Sequence, residues 1–202
     1  LLATQAISRL RESFGVELPL RALFESPTPA ALGQTVEAAL RSAEGYTPLP
    51  PLVRAEGDAP RPLSYSQERL WFLDQLNQGG SLYNIPMGMQ LGGAIDIIAL
   101  GKALSELVRR HEALRTVFEA VDGKPVQVIL PPAAVPLPFT SLTSLPENDR
   151  YEAARKLAAE ESNRPFDLAR GPLFRARLIE LDLGVHLLLL TMHHIVSDGW
   201  SL

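Results

Sequence analysis

The sequence predicts an α/β fold, a mixed-sheet sandwich preceded by a small helical unit. Three observations predict it. Apolar residues recur at helical spacing in the first forty positions, and a proline-rich stretch from Ser42 to Pro62 then breaks every periodicity. Beyond that stretch, helix-type and strand-type patterns interleave without a regular strand-helix-strand rhythm, which indicates a mixed sheet with helices packed on it. The last strand pattern, Val185 to Met192, is an almost continuous apolar run, as expected of a strand covered on both faces.

Each element follows in order. Leu2, Ala6, Leu10 and Phe14 repeat every four residues, and Gly15 stands where a helix C′ residue belongs, so the first segment is an amphipathic helix. A short apolar turn, PLRALFESP, leads to Thr28 and Pro29, an N-cap and a first-turn proline for a helix with the stripe Leu32, Val36 and Leu40. The helical unit closes near Ala43, and Pro48, Pro50, Pro51, Pro60 and Pro62 mark an extended linker. Ser66 to Leu76 has helical spacing, and Tyr83 to Leu91 is a strand ended by Gly92 and Gly93. Asp96 caps a long helix with an apolar face of Leu100, Leu104, Leu107, Val108 and Leu114. Strands at Thr116 to Val121 and Pro125 to Leu130 flank Asp122-Gly123, a strong hairpin signal. A charged helix follows from Glu147 to Asn163, and the stretch Tyr151 to Glu161 reads as a solvated face. Phe174, Ala176 and Leu178 then alternate with Arg175 and Arg177 on a half-exposed strand that turns at Asp182 to Gly184 into the final apolar run.

Composition narrows the function. The 202 residues are 46% hydrophobic and 21% charged with a net charge of −4, a globular balance that lacks the basic excess nucleic-acid binding needs. Charges in LLATQAISRLRESFG interrupt any signal-peptide core, and the longest apolar run is too short to span a bilayer and contains His186. The protein reads as soluble and unexported, with the cytoplasm as its expected location and neither nucleic acid nor membrane as a partner. With no cysteine, disulfides, thiolate metal sites and cysteine nucleophiles are excluded from this stretch.

Chemistry concentrates in MHHIVSDGWSL, where His193, His194, Asp198 and Gly199 follow the buried strand as it leaves the sheet. An imidazole there can take a proton from an attacking amine or hydrogen-bond an oxyanion. As metal ligands, His193, His194 and Asp198 fit poorly, because adjacent strand residues point to opposite faces, so no metal is expected. His111 and His186, among apolar neighbours, read as satisfied core histidines, and Trp71 and Trp200 as packing residues.

MHHIVSDGWS resembles the HHxxxDG signature of condensation domains, the acyl-transfer catalysts of nonribosomal peptide synthetases, which are related in fold to chloramphenicol acetyltransferase. LSYSQERLWFLDQL (63–76) and RHEALRTVF (110–118) look like the family's first two core motifs, in the expected order. NRPFDLARGPLFRARL (163–178) is similar to the stretch before the histidine motif. The first 37 residues resemble the later part of a peptidyl carrier domain, from just after the serine that bears the phosphopantetheine arm. The resemblance implies a partial carrier at 1–43, a linker at 44–62 and the N-terminal lobe of a condensation domain at 63–202. The phosphopantetheine serine would precede Leu1 and the second lobe would follow Leu202, so this stretch alone is expected to be inactive.

By motif matching the resemblance implies His194 as the catalytic residue, acting as general base or as the group that positions the amine and stabilises the intermediate. It implies a supporting role for His193, and a structural Asp198 paired with an arginine, for which Arg115 is the candidate. Gly199 would allow a close backbone approach beside the substrate tunnel. The implied partners are upstream and downstream carrier domains bearing acyl and aminoacyl thioesters on phosphopantetheine, and adenylation domains of the same assembly line. Two rival readings remain: an epimerisation domain of the same fold, and a non-catalytic module that docks carriers.

Overall fold

Local sequence signals explain most elements of the computed structural model, which describes residues 2–41, 61–77, 80–199 and 201. The chain divides into two units, Leu1–Glu56 and Gly57–Leu202. Nearly all of the expected linker, and Trp200, lie outside the described residues.

In the first unit, helices α1 (Leu2–Phe14), α2 (Arg21–Glu25) and α3 (Pro29–Arg41) close over Ile7, Val16, Leu18 and Val36. Gly15 takes the left-handed conformation expected of a C′ glycine, and Thr28 Oγ1 accepts the Ala31 N–H at 3.2 Å as an N-cap does. The inward stripe differs from the expected one: Ile7 is buried, whereas Leu2 is 83% exposed and Phe14 and Leu40 also face solvent. The reason is helical pitch. Each four-residue step advances about 40° around the axis, so the two ends of an i, i+4 series diverge by about 120° over three steps.

The second unit contains β1 (Arg61–Pro62), α4 (Tyr65–Leu76), β2 (Asn84–Gly92), α5 (Ile97–Arg110), a 3₁₀ turn (Glu112–Arg115), β3 (Thr116–Val121), β4 (Lys124–Ile129), β5 (Phe139–Ser141), α6 (Glu147–Asn163), β6 (Phe174–Asp182) and β7 (Val185–His193). Two sheets result. One has the antiparallel order β1-β4-β3, and the other, β2-β7-β6-β5, is mixed because β5 runs parallel to β6. The mixed sheet anticipated from the patterns is therefore present, beside a second, smaller sheet. Asp122 and Gly123 both have positive φ, as a two-residue hairpin turn between β3 and β4 requires.

β7 lies between β2 and β6, and helices cover both faces of the mixed sheet. Met192 and Leu190 pack with Leu104 and Val108 of α5, while Leu189 and Leu187 pack with Ala154 and Leu157 of α6. Burial on both faces is why the β7 sequence is apolar at successive positions rather than alternate ones.

Several expectations need correction. Pro62 belongs to an edge strand rather than the linker, paired with Val126, a position where a residue without an N–H is tolerated. β5 carried no distinct sequence signal. α5 ends at Arg110, so Leu114 sits on the 3₁₀ turn while still packing against α5, and Leu107 is half exposed. His111 is exposed as the C-cap of α5 rather than buried, since the chain turns extended there. Glu161, expected on a solvated face, is buried against Arg175, because the last turn of α6 lies over the sheet.

Candidate active site

The three motif-bearing segments converge under the end of β7. Leu63 and Leu70 come from the first, Phe118 from the second, and Phe166, Leu168 and Leu173 from the third. Ile195, 3% exposed, inserts among them from the loop after β7. Burying an isoleucine of this kind is worth about 2 kcal/mol, enough to fix the loop's departure from the sheet. The two histidines before it consequently face different environments.

His193 points into the protein and is 3% exposed. Its Nδ1 accepts the Ile195 N–H at 3.2 Å, so the neutral ring carries its proton on Nε2. Burial, and secondarily the neighbouring His194, push its pKa down to about 4, which keeps it uncharged at neutral pH. The rings of Tyr83 and Phe166 meet it edge-on at 6.3 and 6.1 Å. The Arg175 guanidinium lies over the Phe166 ring, 3.7 Å from its centroid. Arg175 donates to Glu161 Oε1 at 2.5 Å and to the carbonyls of Glu161, Arg164 and Pro165. Asn84 Nδ2 donates to the carbonyls of Ser162 and Arg164. Arg175 and Asn84 thus satisfy carbonyls at the C-terminus of α6 that have no intrahelical partner, with a cation at the negative end of the helix.

His194 faces outward. Its backbone N–H donates to Tyr83 O at 2.8 Å, and its Nδ1 lies 2.8 Å from Ser197 O. A carbonyl can only accept, so Nδ1 carries the proton of the neutral ring and Nε2 keeps its lone pair. The side chain is exposed and lines a groove of about 550 Å³ with Ser64, Ser66, Gln67, Gln127, Val196 and Asp198. A neutral imidazole with an available Nε2 can accept a proton or receive a hydrogen bond from an amine.

A family model described as "Condensation domain" matches residues 59–202, and one described as "Phosphopantetheine attachment site" matches residues 1–36. The chain belongs to the condensation-domain family. The sequence is 48% identical over its full length to a linear gramicidin synthase of Brevibacillus parabrevis, of which it spans 3%. It is 40% identical over 99% of its length to the phosphinothricin tripeptide synthetase PhsB of Streptomyces viridochromogenes, spanning 17% of that protein. The starter condensation domain of rhizomide synthetase RzmA superposes on 70% of the chain with a TM-score of 0.65 and 27% identity, and the superposed part is 35% of that structure. The resemblance to nonribosomal peptide synthetases and the α/β condensation fold are borne out by these matches.

Within this condensation domain the remaining expected residues are distributed unevenly. Asp198 shares the groove with His194, and its Oδ1 accepts the Ser201 N–H at 3.1 Å and the Ser201 hydroxyl at 2.9 Å, closing a turn. Arg115 forms an ion pair with Glu112 at 3.2 Å and donates to Leu130 O. A Cβ at Gly199 would meet nothing within 4 Å among the described residues. Trp71 packs at the edge of the core beneath the site, and His186 is buried on β7 with its Nδ1 unpartnered. No cluster of three or more His, Cys, Asp or Glu suited to a metal converges among the described residues, and no described helix is long and apolar enough to cross a membrane.

Sequence reasoning passed over Gln67, Gln127, Phe166, Arg175 and Glu161. A signal existed for Gln67: the pattern Ser64-x-x-Gln67 is a capping box, and both of its bonds form. None existed for Arg175 and Glu161, whose pairing depends on how α6 crosses the sheet.

Proposed function

We propose that this chain carries the reactive centre of an amide-forming condensation reaction in nonribosomal peptide synthesis. The substrates are an acyl or peptidyl thioester on one carrier and the free amine of an aminoacyl thioester on the next, the monomers having been loaded by adenylation domains. The observation that carries the reading is His194: exposed at the end of a rigid strand, with Nδ1 committed to Ser197 O and Nε2 left to the groove.

The chemistry follows from that tautomer. The amine nitrogen attacks the thioester carbon, forming a C–N bond and a tetrahedral oxyanion. The adduct's ammonium passes a proton to His194 Nε2 or is held by it, the C–S bond breaks, and the departing thiolate takes up a proton. Holding amine and thioester in one groove removes much of the entropic barrier, and a single positioned base adds roughly 10²- to 10⁴-fold. His193 takes no part in proton transfer: uncharged and enclosed, it fixes the Ile195 N–H and hence the start of the loop.

A single-turnover assay of the intact synthetase, with both carriers loaded, tests this. His194→Ala is expected to lower dipeptide formation by about 10²- to 10⁴-fold while the melting temperature is retained. Undiminished dipeptide would overturn the assignment of His194, and donor racemisation without a peptide bond would replace the reading with epimerisation.

A further inference from the structure

Gln67 is bonded at both ends of its amide, and the two ends serve different elements. Its Oε1 accepts the Ser64 N–H at 3.0 Å, completing the cap of α4, while its Nε2 donates to Ile195 O at 3.3 Å and to Gln127 Oε1 at 3.5 Å. Gln127 in turn donates from Nε2 to Pro62 O at 2.9 Å. The order of donors and acceptors is fixed at each terminus by a backbone group that can play one role only, so neither amide can flip without orphaning its partners. A short directed relay therefore runs from β1 through β4 and α4 to the loop of the reactive histidine.

Ile195 is the residue after His194, and it is held from three sides. His193 Nδ1 takes its N–H, the core takes its side chain and Gln67 takes its carbonyl. Two residues further on is Ser197, whose carbonyl selects the tautomer of His194. The direction in which the Ile195 carbonyl points sets the path of the turn that delivers Ser197 O. We infer that Gln67 is a positioning residue of the condensation site: the Nε2 bond to Ile195 O orients the turn that keeps His194 protonated on Nδ1 with Nε2 facing the groove. The inference rests on the proposed role of His194 for its functional meaning, but its structural claim stands alone.

The two ends of the amide can be separated experimentally. Gln67→Glu keeps the acceptor that caps α4 and loses the donor to Ile195 O, and Gln67→Met keeps the length and loses both. Nitrogen-15 NMR of the histidines, with His194→Ala used for assignment, reads the tautomer directly, and the intact synthetase reads turnover. In both Gln67 variants His194 is expected to lose its preference for the Nδ1–H form. In Gln67→Glu the melting temperature stays within about 3 °C of the parent. Dipeptide formation falls by about tenfold to a hundredfold, the scale of a small misplacement of a catalytic group. An unchanged tautomer in both variants overturns the inference. Loss in Gln67→Glu but not in Gln67→Met overturns it as well, since the introduced charge and not the missing donor would then be responsible. If His194→Ala leaves dipeptide formation intact, the proposed function fails while the tautomer measurement still decides the role of Gln67.

Discussion

The two sides of the β7 terminus are built by opposite rules. On the inner side, His193, Phe166, Arg175, Glu161 and Asn84 form a closely bonded shell in which Arg175 donates to one carboxylate and three carbonyls. On the outer side, His194 stands in an open groove, tied by one backbone bond to Tyr83 and one side-chain bond to Ser197. The inner shell carries redundant restraints and no free lone pair on its histidine's Nδ1. The outer side carries the minimum needed to choose a tautomer and leaves one nitrogen for chemistry. A strand end held this firmly from beneath lets the exposed residue be precise without being enclosed.

The contrast can be broken first on the outer side. His194→Ala is expected to lower peptide formation by about 10²- to 10⁴-fold with little change in melting temperature, since the side chain is exposed. A comparable loss of stability would show that the groove side is structural as well.

On the inner side, Glu161→Ala strands Arg175, whose side chain is 13% exposed, beneath the α6 terminus. A cost of about 3 kcal/mol is expected in urea denaturation, as for other buried ion pairs broken on one side. Glu161→Gln, which still accepts from Arg175, is expected to recover part of it.

The third test uses acidity. The pKa of His193 is pushed below its ordinary 6.5 to about 4, so the unfolded chain binds its proton first. Stability contributed by the neutral ring is complete above pH 6.5 and is lost as pH falls toward 4. Thermal melts across that interval should decline more steeply for the parent than for His193→Asn. Equal slopes would place the acid sensitivity elsewhere.

The smallest effect is expected at Glu112→Gln. That side chain is 56% exposed, and an ion pair of this kind contributes under about 0.5 kcal/mol. A larger change in denaturation midpoint would give the Arg115 turn a weight the geometry does not suggest.

Much of this was legible in the sequence because the signals are local. The Asp122-Gly123 turn, the Asp96 cap and the continuous apolar run of β7 each follow from a few adjacent residues, and the first two form as read. The motif string around His194 marks the candidate site from adjacent residues alone. Local signals failed where geometry is cumulative or distant. The α1 stripe rotated off its expected line, and Arg61–Pro62 became a strand only because β4 offers it an edge.

The sequence alone settled which strand is covered on both faces and which histidine string follows it, because covered strands must be apolar and helices and turns announce their ends. Only the tertiary structure decided that His193 is buried and His194 exposed, that Arg175 belongs to the end of α6, and that Gln67 reaches a carbonyl 128 residues away. Those outcomes depend on which groups burial leaves in need of a hydrogen-bond partner, and such partners are chosen by proximity in the packed chain rather than by spacing along it.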